Sequence, residues 1–280
     1  MTNRAGRART GAEKTLRLIA FGLLLLMALG AVCAPLLSPA DPGRLDPAGG
    51  LEGPSIAHPL GQDKLGRDVL AGILYGARVS LTVGFIVVGV SLVIGSAVGF
   101  ISGYSGGWPD EVVMRLVDVL LAFPGILLAI ALAGILGPSV GNVVFALCVL
   151  GWVGFARLVR GEVMAIKERE YVTAARVLGA STVRIALRHI LPNLVGPLAV
   201  QATFAVAVTI LAESSLSFLG LGPQDVPTWG GILSQGVDYL LFAPHLALFP
   251  GLAIMITVLA INILGDELRE LIDPSSRDRG

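Results

Sequence analysis

The chain is poor in charge, in aromatic residues and in cysteine, and each shortage excludes something. Charged residues are 14% of its 280 positions, against about 25% in an average soluble domain. So few charges cannot cover a water-soluble globule, which excludes an ordinary soluble enzyme. Twenty Lys+Arg balance twenty Asp+Glu, leaving no net positive charge to hold a nucleic acid. Cys33 and Cys148 both lie in apolar runs. Two cysteines cannot form a disulfide framework, and they read as small core hydrophobes. His58, His189 and His245 are far apart and none sits in an HExxH, so no metal ligand set is legible. No nucleophile–base pair emerges either, so no catalytic residue is expected. What is abundant is apolar surface, with 54% hydrophobic residues and a mean hydropathy of +0.81. Disorder needs the opposite composition, and an integral membrane protein remains. The 36 glycines suit helices that pack closely in a bilayer.

About 20 apolar residues span the hydrocarbon core as a helix. Uncharged runs at 18–37, 79–109 and 119–156 give the first four spans. The last run is long enough for two, and Gly137-Pro138-Ser139 breaks it as a tight turn. Spans at about 194–211 and 246–265 complete six, so both termini share one side. With that side inside, 16 basic residues fall on cytoplasmic segments and 4 outside, a clear positive-inside asymmetry. The expected organisation is a cytoplasmic tail at 1–17, a first span at 18–37, an extracytoplasmic segment at 38–78, a five-helix core at 79–265 and a cytoplasmic tail at 266–280. The basic N-terminus ahead of an apolar run also fits a signal peptide. No small-x-small cleavage site follows, and Val32 before Cys33 spoils a lipoprotein box, so the run is expected to stay as a span. Within 66–75, Val69, Leu70, Ile73 and Leu74 have helical spacing. They read as a short interfacial helix leading into span two or as part of a surface for an extracytoplasmic partner.

The longest inside connection, 157–192, is charged yet patterned for helix. Met164, Tyr171, Ala174, Ala175 and Leu178 place apolar or small groups on adjacent turns. Gly179 suits the position after a helix end, where φ is positive, and Ser181 can cap a second short helix from Thr182 to about His189. Pro192 marks the boundary with span five. Helix, glycine turn, helix is too long for a passive connector. The shape is also that of a DNA-reading helix-turn-helix, but spans at both ends keep it from a groove. A docking element for a cytoplasmic partner fits best, because small residues allow close backbone approach.

The same loop resembles the EAA loop of ABC importer permeases, E-A-A-x3-G-x9-I-x-L-P, through Thr173, Ala174, Ala175, Gly179, His189, Leu191 and Pro192. Thr173 stands where the motif has Glu, and His189 where it has Ile. HPLGQDKLGRDVLAGILYGARVSL (58–81), DEVVMRLVDVLLAFPGILLAIAL (110–132) and RHILPNLVGPLAVQATFAVAVTILAESSLSFLGLG (188–222) resemble the C-type permease subunit of dipeptide/oligopeptide/nickel importers, as do residues 243–274. The resemblance implies an all-α, type I importer permease of the bacterial cytoplasmic (inner) membrane. It implies a second, homologous permease subunit, two cytoplasmic ABC ATPase subunits and an extracytoplasmic substrate-binding protein as partners. The residues it assigns to ATPase docking are Tyr171, Thr173, Ala174, Ala175, Gly179, Leu191 and Pro192. ATP and Mg²⁺ would then belong to the ATPase chains, and this chain would hold no cofactor. It has no Gly-Lys dipeptide and hence no Walker A loop.

Ionisable groups inside a membrane bundle are costly and merit a functional reading. Glu213, at the end of span five, reads either as a gate or pathway residue or as an interfacial group capped by Ser214 or Ser215. Asp118 reads as the local partner of Arg115. An ion-coupled secondary transporter usually needs a midplane carboxylate or a broken helix. The middles of spans two, three, four and six are uncharged, while Gly99, Pro124, Gly125, Gly134, Pro250 and Gly251 serve either close packing or bending. The expected function is ATP-driven import, of di- or oligopeptides in the first instance; nickel or another small solute is the alternative cargo and ion-coupled transport the alternative class. Val resists positive φ. Gly179→Val is therefore expected to insert normally while losing coupling between ATP hydrolysis and transport, as read by paired uptake and ATPase assays.

Overall fold

The computed structural model describes residues 2–37, 43, 45–46 and 49–272, with backbone alone for 2–13. The end of the expected C-terminal tail (273–280) and parts of the 38–78 segment lie outside the described residues. Described residues form helices α1 (Thr2–Val32), α2 (Ala34–Leu37), α3 (Val69–Ser105), α4 (Gly107–Ala122), α5 (Gly125–Leu136), α6 (Val140–Lys167), α7 (Glu170–Val177), α8 (Thr182–Ile185), α9 (Leu191–Phe218), α10 (Trp229–Val237) and α11 (His245–Ile272), with a π turn at Ala186–Ile190. Five helical stretches are long and apolar enough to cross a membrane, and the bent pair α4–α5 makes a sixth span if it counts as one.

Two elements differ from the pattern of apolar runs. The short interfacial helix and span two are one 37-residue helix, α3. Asp68 starts it by accepting a hydrogen bond from the Ala71 amide at 2.8 Å, an N-cap. Its first turns are held by burial of Val69, Ala71 and Ile73, so the helix begins ten residues before the uncharged run does. The third span is not one straight helix. α4 and α5 meet at 82° across Phe123 and Pro124. Proline supplies no N–H and drives its predecessor out of helical conformation; Phe123 is extended, at φ −86° and ψ 137°. Here bending, not packing, is what the proline does. The turn at Gly137-Pro138-Ser139 separates α5 from α6, with Ser139 accepting from the Asn142 amide.

Span five is also longer than its apolar core. The chain runs from α8 through the π turn into α9 as one 37-residue stretch. Pro192 lies in the first turn of α9, where a missing N–H costs least, so the chain does not break there.

The α3–α6 pair is the centre of the bundle. Gly95, Gly99 and Gly103 recur every fourth residue, one above the other on one face of α3. They lie against the Trp152, Ala156 and Arg160 backbone of α6. This small-xxx-small ridge brings two backbones together without side chains between them. Phe155, Val88, Ile210 and Trp229 belong to the core that joins α3 and α6 to α9 and α10. The Trp229 indole donates to the Ile73 carbonyl at 3.0 Å. At one end of the bundle, Arg17 of α1 pairs with Glu267 and Glu270 of α11, and Gly196 of α9 sits against Ile272 of α11. The N-terminal half of α1, the end of α11 and the α7–α8 loop therefore share one face.

A Cβ on Gly99 would overlap the Ala156 carbonyl, whereas nothing lies within 4 Å of one on Gly89. Gly99→Ala is expected to destabilise by about 1–3 kcal/mol through overpacking. Gly89→Ala is expected to stabilise by up to about 1 kcal/mol through helix propensity. Thermal midpoints of the two variants in one detergent should move in opposite directions.

Candidate functional site

The loop between α6 and α9 is built from local signals. α6 ends at Lys167, whose ammonium donates to the Gly103 carbonyl at 3.0 Å and ties the loop to α3. α7 follows, and its last turn closes as a Schellman motif: the Ala180 amide donates to the Ala175 carbonyl at 3.0 Å, with Gly179 at φ +82°. Ser181 then caps α8, accepting from the Arg184 amide.

α7 is anchored by one side chain. Val172 is fully buried with Val159, Val163, Ile166, Ile185, Ile190 and Leu194. The other apolar groups point outward. Val177 and Leu178 are 82% and 86% exposed, and Tyr171, Val183, Leu187 and Leu191 are exposed as well. Thr173, Ala174, Gly179 and Pro192 are exposed and Ala175 is half-buried. Of the residues singled out from the sequence, Tyr171, Thr173, Ala174, Ala175, Leu178 and Gly179 lie on α7 and the turn after it, and Leu191 and Pro192 in the first turn of α9. Val177, Val183 and Leu187 add exposed apolar side chains that were detectable as apolar residues flanking the glycine in an otherwise charged stretch. The Tyr171 and His189 rings lie 6.0 Å apart and tilted by 45°, so the residue in place of the motif's Ile links α7 to the π turn. The result is a cluster of exposed apolar residues rimmed by charge, a kind of surface that protein–protein contacts use.

Beneath this loop lies an ion pair not evident from sequence. The Arg160 guanidinium of α6 grips Asp110 of α4 through two hydrogen bonds of 2.5 and 2.7 Å, and Ser102 of α3 donates to the same carboxylate. Asp110 is buried. The pairing of Asp118 also differs from the local one expected: its partner is Arg157 at 2.5 Å, one helix away, because the bend at Pro124 lays α4 across α6.

Glu213 is 1% exposed. Ser80 of α3 donates to its Oε2 and Ser217 to its Oε1, both at 2.7 Å, while Ser214 stands 3.5 Å away. Ser215 instead donates to the Leu211 carbonyl. The carboxylate is therefore buried rather than interfacial; Ser214 gives it a long hydrogen bond and Ser215 none, and the bond to Ser80 fastens α9 to α3. At this same end, opposite the α7–α8 loop, a cavity of about 780 Å³ opens between the first turns of α3, α10 and the 63–68 and 220–228 loops. Ser217 reaches its wall and Glu213 does not.

The family model described as "Binding-protein-dependent transport system inner membrane component" matches residues 95–278. A dipeptide transport system permease protein of Alkalihalophilus pseudofirmus is 43% identical over 264 residues, 93% of this chain and 87% of that protein. A glutathione transport system permease protein of Pectobacterium atrosepticum is 48% identical over 224 residues, 80% of this chain and 74% of that protein. Among solved structures, an inward-facing conformation of the MetNI methionine ABC transporter superposes with a TM-score of 0.60 at 18% identity, over 71% of this chain and 94% of that one. At that identity the likeness is one of fold.

Replacing Glu213 by Ala leaves the Ser80 and Ser217 hydroxyls buried without an acceptor, a loss of about 1–3 kcal/mol. Glu213→Gln keeps an acceptor oxygen. The Ala variant should therefore melt earlier than the Gln variant in detergent. Equal midpoints would show that the hydroxyls find other partners.

Proposed function

The chain belongs to the family of binding-protein-dependent transport system inner membrane components, and from that membership we propose that it forms half of the pore of an ATP-driven importer of di- and oligopeptides. It is a multi-pass protein of the bacterial cytoplasmic membrane and a translocation subunit. A second, similar permease supplies the other half of the pathway. Two cytoplasmic ATPases hold ATP and Mg²⁺, and a binding protein delivers cargo from outside. The α7–α8 face is cytoplasmic on the charge asymmetry of the sequence.

The observation that carries this reading is the outward-facing apolar cluster at Val177 and Leu178 on a helix anchored by Val172. Tyr171, Ala174, Ala175, Gly179 and Leu191 flank it, and together they form a knob that an ATPase cleft covers. A push on α7 reaches the bundle along two rigid lines. One runs through Val172 into α6 and α8. The other runs through Lys167, whose ammonium holds the Gly103 carbonyl, and through Arg160, which holds Asp110. Closure of the ATPase pair would so tilt α3, α4 and α6 as one body and alternate access to the pathway. Peptide cargo rests on the relatives, two of which are named for a dipeptide and for the tripeptide glutathione. The same architecture could serve nickel, and uptake decides it.

The deciding experiment is uptake of labelled dipeptide and of Ni²⁺ in cells with and without the gene. Gene-dependent dipeptide entry that survives collapse of the proton gradient with ATP maintained is the expected result. Loss of Ni²⁺ entry alone would overturn the cargo, and loss of uptake with the ion gradient would overturn the class. Leu178→Asp should in addition abolish co-purification of the ATPases while leaving the chain in the membrane, since one buried unpaired charge at such a contact costs several kcal/mol.

A further inference from the structure

Resting on the peptide reading above, we propose that the cavity between α3 and α10 is a cargo-receiving site that holds a short peptide by its two charged ends, the α-carboxylate at Arg78 and Lys64 and the α-ammonium at Asp225. Its volume, about 780 Å³, lies in the range of small-molecule sites. Six charged side chains line it, and their partners divide them into two sets.

Three are engaged in the fold. Asp68 caps α3 and bonds the His58 ring at 2.8 Å. Asp63 accepts from the Leu65 and Arg67 amides, both at 2.8 Å. Arg67 leans on Asp63 at 4.0 Å. The other three, Lys64, Arg78 and Asp225, make no ion pair among the described residues. Arg78 rests over the Tyr75 ring, its Cζ 5.8 Å from the centroid. That contact holds the guanidinium through its face and leaves its N–H donors free for a carboxylate, which the fork matches in two parallel hydrogen bonds. Asp225 lies between Pro223 and Pro227 in the 220–228 loop, which also lines the cavity.

Opposite charges that line one cavity and do not neutralise each other suit a zwitterion. A dipeptide spans about 7 Å between its ends, and every dipeptide carries the same two end groups. The wall also carries small and apolar surface at Gly72, Val79 and Ile232 and neutral polar groups at Gln224, Ser234 and Gln235. The charged groups would recognise the two ends that every dipeptide shares. The site's place is at the end of the bundle away from the ATPase-docking loop, where delivered cargo arrives.

The test is equilibrium binding of labelled Ala-Ala to the complete transporter in nanodiscs, without the binding protein, with unlabelled Ala-Ala, Ala-Ala-amide and N-acetyl-Ala-Ala as competitors. Wild type is expected to prefer free Ala-Ala over both blocked peptides. Arg78→Gln should weaken Ala-Ala binding about tenfold, the worth of a charged hydrogen bond, and should leave Ala-Ala-amide unchanged. Arg78→Lys should restore part of the loss, and Asp225→Asn should erase the penalty of N-acetylation. If the variants weaken free and blocked peptides alike, or if wild type shows no preference among the three, the site is wrong. ATP-dependent Ala-Ala uptake with the binding protein separates the two levels. Normal uptake without variant-sensitive binding overturns the site alone, and absence of Ala-Ala uptake by wild type overturns the peptide reading and the site with it.

Discussion

The rest of the structure depends on the backbone-to-backbone contact of α3 with α6. Water drives soluble helices together, but lipid tails are as apolar as leucine, so a membrane bundle must gain its cohesion from close packing. Three glycines at 95, 99 and 103 supply it by letting α3 lie directly on the Trp152, Ala156 and Arg160 backbone. With the pair fixed, α9 packs against both, through Val206 and Ile210 beside Gly84. The Ser80–Glu213 bond then closes one end, and the Asp110–Arg160 pair closes the other.

Among the described residues, the side-chain hydrogen bonds that join one helix of this unit to another lie towards its two ends. At one end Glu213 takes hydroxyls from two helices, and the 63–68 loop is knitted by Asp63, Gln62 and Asp68. At the other end Lys167 and Arg160 join α6 to α3 and α4. The middle is glycine-rich and mostly apolar, with the Ser91 and Ser96 hydroxyls buried in it. Such a body moves as a piece, because no hydrogen bond in its centre must break when its ends are pushed. The bend at Pro124 is the exception. It lets α4 turn across the end of α6, where Asp118 meets Arg157.

Much of this was legible in the sequence, for reasons that can be named. Long apolar runs located the spans because a lipid-facing helix needs them. The glycine at 179 and the serine at 181 announced a helix end and a helix start because few residues tolerate φ +82° or serve as caps. The continuity of α3 was hidden because Arg78 interrupts the apolar run while the helix continues through it. The Asp110–Arg160 pair was hidden because its members are 50 residues apart, and no local spacing reports a contact at that range. Pro124 was visible as a breaker, but whether it would bend the helix or merely pack could not be read from residue type alone. The outward orientation of Val177 and Leu178 depends on which face Val172 buries, a fact of tertiary packing.

The 37 residues of α3 amount to about 55 Å of helix at the usual rise, while the hydrocarbon core is about 30 Å thick. A large part of the helix therefore stands in water, and α10 and the looped segments are built against that projecting mast. Whatever first meets this end of the protein does so in a medium of high dielectric, still hydrated. Salt in the surrounding water can screen charges on that projecting end, over a Debye length of about 8 Å at physiological strength, without reaching groups buried between the helices.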